Sequence, residues 1–153
     1  MKYITTLVLS FVVTLTVFLG INFFVDPARV FRDGVFEREI AAQLRAGKLL
    51  ANLRNYDERL VQRYYIESLG ASPNTIVLGS SRSMKLRGEV LSEESFFNNS
   101  VSGATLEDYM GIWQLYEDRA ELPSNIVLAV DPWIFNKNNG QVRWQSLRIQ
   151  YQA

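Results

Sequence analysis

The chain opens on an unbroken apolar stretch. After Lys2, the twenty-three residues from Tyr3 to Val25 carry no charge, and Asp26-Pro27 end the run. Leu7, Val8, Leu9, Phe11, Val12, Val13, Leu15, Val17, Phe18, Leu19 and Ile21 put apolar side chains on every face of a helix. Such a helix belongs in lipid or a deep core. At about 1.5 Å per residue it is roughly 34 Å long, enough to cross a hydrocarbon core of about 30 Å. Its polar members, Thr5, Thr6, Ser10, Thr14, Thr16 and Asn22, are mild. A hydroxyl can bond back to the carbonyl one turn earlier, and Asn22 lies near the far end, where interfacial water reaches. A buried core helix is the weaker alternative at this length. A cleaved signal peptide has a shorter apolar region ending in small residues, and Phe18-Leu19-Gly20 is a poor cleavage site. The pattern favours an uncleaved signal anchor over residues 1–25 and a single-pass membrane protein. Lys2 precedes the span and Arg29 and Arg32 follow it, so the positive-inside count is nearly balanced. The two-residue flank is the easier end to leave in the cytoplasm, which places the C-terminal domain outside it, in periplasm or extracellular space.

Residues 26–35 (DPARVFRDGV) mix Pro, Gly and charge and read as an exit segment. Helical spacing then recurs over 36–53, through Phe36, Ile40, Leu44, Leu49, Leu50 and Leu53, with Gly47 as a break point, and over 56–69, through Tyr56, Leu60, Val61, Tyr64, Tyr65 and Leu69. Glu58, Arg59, Gln62, Arg63 and Glu67 fall between the apolar positions of the second helix, and Gly70 suits its stop. Residues 26–70 thus form a helical linker region. The texture changes at Ser72-Pro73-Asn74. Thr75-Ile76-Val77-Leu78 is a short β-branched run of the kind buried on both faces of a parallel sheet. Phe96–Val101 predicts a second strand, Thr105–Leu122 a helix with a capping-box-like start at Thr105 and Asp108, and Asn125–Val130 a third strand. Residues 140–153 begin another helical pattern. Strand, short crossover, strand, helix, strand predicts a parallel α/β sheet with helices on its faces, over residues 71–153. Three strands leave an exposed edge, so this domain reads as incomplete.

Composition narrows the chemistry. Sixteen basic residues balance sixteen acidic ones, so nothing attracts nucleic acid over long range. The absence of cysteine removes disulfides and thiolate metal sites, and the absence of histidine removes the commonest general base and metal ligand. No cofactor or metal is implied, and a Ser-His pair cannot be completed within the chain.

Ligands of open parallel sheets gather beyond the carboxyl ends of the strands. Three segments converge there: Gly79-Ser80-Ser81-Arg82-Ser83, Ser100-Val101-Ser102-Gly103-Ala104 and Asp131-Pro132-Trp133. A hydroxyl on the tight turn after the first strand would be exposed, near helix-terminal N–H groups, as a nucleophile requires. Gly103 allows a backbone N–H to approach a ligand closely, the geometry of an oxyanion hole. Asp131 offers an acceptor. Each feature alone has an ordinary structural explanation: loop tripeptide, turn glycine, strand terminator. Arg82 is equally a surface cation or an ion-pair partner, and Tyr109, Trp113 and Tyr116 fit a core better than a ligand box.

Together, Ile76–Arg82, Phe97–Ala104 and Ile126–Pro132 resemble the SGNH/GDSL hydrolase superfamily, closest to bacterial membrane-anchored members with a Gly-Ser-Ser-Arg first block. The resemblance covers about residues 55–136. It implies a flavodoxin-like three-layer fold, Ser81 at the nucleophile position, and backbone N–H groups of Ser81 and Gly103 on an oxyanion. The family's third block carries Gly-x-Asn-Asp, where Ala129-Val130-Asp131-Pro132 stands here. Asp131 takes the place of an Asn that donates a hydrogen bond, and an ionised carboxylate only accepts. The family's last block, with Asp and His, has no counterpart. The expectation is a membrane-anchored esterase or acyl-transfer domain acting on envelope glycan or lipid, truncated and inactive as this chain. The alternative is a non-catalytic single-pass envelope protein that binds a partner through its sheet edge and the aromatic residues Trp133, Phe135 and Trp144.

Overall fold

The computed structural model describes residues 2–26, 34–92 and 95–153. The chain divides into two units, Met1–Val35 and Phe36–Ala153. Most of the expected exit segment, Arg29 and Arg32 included, lies outside the described residues.

The first unit is dominated by α1, Lys2–Val25, a 24-residue helix with no buried residue. It is long and apolar enough to cross a membrane. Three of its polar side chains fold back on the helix. Thr6 Oγ1 donates to the Lys2 carbonyl at 3.0 Å, Thr16 Oγ1 to Val12 at 2.8 Å and Asn22 Nδ2 to Phe18 at 2.9 Å. Each donor is satisfied without water, as a hydrocarbon environment demands.

The second unit is an α/β domain. α2 (Val35–Arg45) ends sooner than its apolar spacing suggests. Gly47, at φ +72°, turns the chain, and Leu49, Leu50 and Leu53 continue in a non-helical segment. α3 (Glu58–Glu67) starts two residues after Tyr56 because Asp57 caps it, accepting the Arg59 N–H at 2.8 Å. It stops at Ser68 rather than Gly70, where the Ser68 N–H closes onto the Tyr64 and Tyr65 carbonyls. β1 (Thr75–Leu78), the short helix α4 (Gly88–Leu91), β2 (Phe96–Asn98), α5 (Leu106–Asp118) and β3 (Asn125–Leu128) follow. The tail forms two 3-10 turns and α6 (Arg148–Tyr151).

All three strands are parallel, in the order β2-β1-β3. β1 lies in the centre and is buried at every position, as its continuous apolar texture predicts. β3 has a similar texture but lies at an edge and is largely exposed. Ile126 and Leu128 pair directly with Ile76 and Leu78, so these side chains share a face. On that face α5 and α3 bury Ile76 and Leu78 with Ile66, Tyr109, Ile112, Leu115 and Tyr116. Tyr65 stacks on Phe97 with ring centroids 3.9 Å apart. The opposite face carries the β1–β2 crossover, anchored where Asn98 Nδ2 donates to the carbonyls of Ser83 (2.7 Å) and Leu86 (3.0 Å).

Candidate functional site

The connection from β1 to β2 runs one way along the sheet, and the connection from β2 to β3 passes back over β1. The order therefore reverses between β1 and β3, and the crevice beyond their carboxyl ends is the switch point where open α/β sheets hold ligands. The Gly79–Ser83 turn and Asp131 both stand there.

Ser80 and Asp131 join the two strand ends. The Ser80 hydroxyl, only 1 % exposed at the residue level, donates to Asp131 Oδ2. Arg82 donates through Nη1 to Asp131 Oδ1 at 2.9 Å, and its guanidinium sits 5.8 Å from the centroid of the Trp133 ring. Asp131 is thus an acceptor only, as its carboxylate chemistry dictates. Arg82 is its ion-pair partner, with its own side chain 73 % exposed. The buried hydroxyl of the pair is structural, while the neighbouring Ser81 projects outward. Among the described residues, the Ser81 hydroxyl has no hydrogen-bond partner.

Close packing shapes this turn. Gly79 is buried, and a Cβ there would fall 2.0 Å from Ser83 Oγ and 2.9 Å from Ala129 Cβ. The space a side chain would fill holds Ser83, whose hydroxyl donates to the Ser80 carbonyl at 2.9 Å and meets Ser100 Oγ at 2.8 Å. The turn continues as a second turn through Leu86 rather than entering a helix. The expected neighbourhood of helix-terminal N–H groups is therefore replaced by consecutive turns.

The second loop is fastened at several points. Val101 N–H reaches the Gly79 carbonyl at 3.0 Å. Glu58 accepts both the backbone N–H and the hydroxyl of Ser102. Arg59 forms a bidentate pair with Asp108 at 2.8 and 2.9 Å and also reaches the Ser102 carbonyl at 3.1 Å. Asn99 Nδ2 donates to Gln62 at 2.8 Å, and the Tyr116 hydroxyl donates to Asn99 Oδ1 at 3.0 Å. Gly103 adopts φ +60°, the left-handed conformation that favours glycine, and its carbonyl accepts Gln141 Nε2 at 2.6 Å. The N–H groups of Ser81 and Gly103 have no acceptor among the described residues.

Two tyrosines titrate far from their usual range. Tyr109, whose hydroxyl donates to the Ala129 carbonyl at 2.9 Å, is pushed up to about 12 by burial and then by Asp131 and Asp108. Burial likewise raises Tyr116. Tyr109 and Tyr116 are buried and Trp113 packs against them, so all three serve the core.

The three loops singled out by sequence are brought together, but their connections were not foreseen. Ser80, Glu58, Arg59 and Gln62 do the joining. One signal was present: Arg59, Gln62 and Ile66 lie at spacings of three and four, which puts two polar side chains on the stripe that Ile66 buries. Among the described residues no group of three or more acidic side chains is gathered that could cage a metal ion. No family model, no curated protein and no solved structure matches this chain.

Proposed function

We propose that the chain is a membrane-anchored, SGNH-type serine acyl-transfer domain, with α1 spanning the bilayer and residues 36–153 outside the cytoplasm. The observation that carries this assignment is an exposed serine hydroxyl, without a hydrogen-bond partner among the described residues, at the switch point of a sheet ordered β2-β1-β3. That order is the opening portion of the doubly wound order 2-1-3-4-5. The N–H groups of Ser81 and Gly103, without an acceptor among the described residues, give the developing oxyanion two candidate donors.

Ser81 Oγ would bond to the acyl carbon of an ester, the alkoxide would leave, and the serine proton would pass through a base to the leaving oxygen. The 153 residues contain no histidine, and among the described residues no side chain bonds the Ser81 hydroxyl to take its proton, so the step is tested with an added base. Without one, Ser81 is unactivated, and the chain alone is expected neither to hydrolyse simple esters nor to react with serine-directed phosphonates. A hindered pyridine such as 2,4,6-collidine supplies a base in trans without itself being acylated. Full-length chain in nanodiscs, treated with p-nitrophenyl acetate and collidine, is expected to acquire one acetyl group on Ser81, located by peptide mass spectrometry. Acetylation spread over other side chains and undiminished in Ser81→Ala would overturn the proposal.

The edge of β3, with no strand beyond it among the described residues, favours a second function, a non-catalytic anchored protein that binds an envelope partner. Ile126, Leu128, Val130, Trp133 and Phe135 are all exposed, and an uncovered strand invites pairing. Absence of Ser81 acetylation would leave this function standing.

A further inference from the structure

A cleft of about 220 Å³ opens beside the serine turn. Ile40 and Leu44 of α2, Leu50 and Leu53 of the segment after it, Val61 of α3 and Met84 of the serine turn form its apolar wall. Met84 follows directly on Ser83, which is fixed by Ser80 and Ser100. One residue of the cleft wall, Met84, therefore lies three positions along the chain from the exposed Ser81 hydroxyl.

The polar lining is what gives the cleft a chemical preference. Ser100, Gln62 and Glu58 are already engaged, by Ser83, Asn99 and Ser102 respectively. Tyr56 has no hydrogen-bond partner for its hydroxyl among the described residues. Burial, followed by the nearby Glu58 carboxylate, raises its pKa, so it stays a donor at neutral pH. Among the described residues, the only charged group in the lining is Glu58. A carboxylate ligand would be repelled, whereas an ester carbonyl could accept from Tyr56.

We propose that this cleft binds the acyl chain of a short, uncharged ester, with Tyr56 as one donor to its carbonyl. At about 30 Å³ per methylene-sized group, a volume of about 220 Å³ takes roughly seven heavy atoms, the size of a hexanoyl group. The cleft would make the acyl-transfer domain selective for short acyl donors. In that respect the inference rests on the proposed function, although binding itself does not need Ser81 to react.

The test uses full-length chain in nanodiscs and the methyl ester of a diazirine-bearing hexanoic acid, photolysed and mapped by peptide mass spectrometry. Adducts are expected at Leu50, Leu53 or Met84, competed by methyl hexanoate and at least about tenfold weaker with the corresponding free acid, a ratio that a charge clash of about 1.4 kcal/mol would produce. Leu53→Trp and Met84→Trp, which fill the cleft from different segments, are each expected to abolish these adducts, and Tyr56→Phe to weaken them several-fold. Ser81→Ala is expected to leave them unchanged. Labelling confined to α1, equal labelling by ester and acid, or competition by toluene as effective as by methyl hexanoate would overturn the acyl site. Cleft labelling without Ser81 acetylation supports the acyl site and counts against acyl transfer. Ser81 acetylation without cleft labelling does the reverse.

Discussion

Arg59 is the residue on which most of the site's geometry converges. Its guanidinium binds Asp108 in a two-pronged pair and also holds the Ser102 carbonyl, with both charged side chains almost wholly buried. Replacing such a pair with apolar groups can be neutral, but removing one partner strands a charge. Arg59→Met is therefore expected to destabilise the domain by about 3–5 kcal/mol, read from denaturant melts of tryptophan fluorescence. A loss below about 1 kcal/mol would show that water reaches Asp108. Tyr109 makes the opposite kind of demand, because its bond to Ala129 requires a proton. An unfolded tyrosine ionises near about 10, whereas Tyr109 holds its proton to about 12. Between those values the unfolded chain binds fewer protons than the folded one, so stability falls as pH rises. Below the lower value the contribution is fully present. Tyr109→Phe is expected to flatten this alkaline decline, leaving the share due to Tyr116. An unchanged slope would count against the assignment. Residue identities alone concealed these roles. By type Arg59 and Gln62 belong on a wet face, although their spacing to Ile66 puts them on the buried stripe, and only their partners, Asp108 and Asn99, more than thirty positions away, make that burial tolerable.

Elements were easier to foresee than their ends. α1, β1 and α5 follow from composition over many residues: no charge, an unbroken β-branched run, and an apolar stripe behind a capped start. Their limits depend on single backbone events that periodicity does not register. Asp57 begins α3, Ser68 ends it, and Gly47 turns the chain before Leu49 can extend α2. The serine turn shows the same division. Its place after β1 was legible from the strand, but the inward Ser80 and outward Ser81 differ only in local geometry. β3 was predicted with a texture like that of β1, yet its surroundings differ. Leu128 pairs with the buried Leu78 and is itself 58 % exposed, because the covering helices stop short of the edge. An apolar edge strand promotes association, and a charge placed on it opposes this. Leu128→Lys is expected to reduce light scattering of the full-length chain in detergent several-fold on standing, without lowering the thermal midpoint. Unchanged scattering would mean that another surface drives association.

At the scale of the whole molecule, an apolar helix precedes a domain whose surface carries most of the charge. The N-terminal unit keeps Thr6, Thr16 and Asn22 bonded to its own carbonyls. Insertion therefore need not leave these donors bare in hydrocarbon. The chain is expected to remain with membranes through an alkaline carbonate wash and to leave only with detergent. Release by salt alone would show that α1 does not insert. A C-terminal topology reporter should be active outside the cytoplasm, and activity inside would remove any envelope substrate from the proposed function.

The central position of β1 also has a temporal side. The strand with the greatest need of cover is the first of the three to be synthesised. Thr75 finds one neighbour at Phe96 and the other only at Asn125. Until the ribosome has delivered both, Thr75-Ile76-Val77-Leu78 has unsatisfied backbone on each side, and closing the larger loop is entropically slow. Maturation of the crevice must then wait for the last strand to dock, since Asp131 arrives just behind it to meet Ser80.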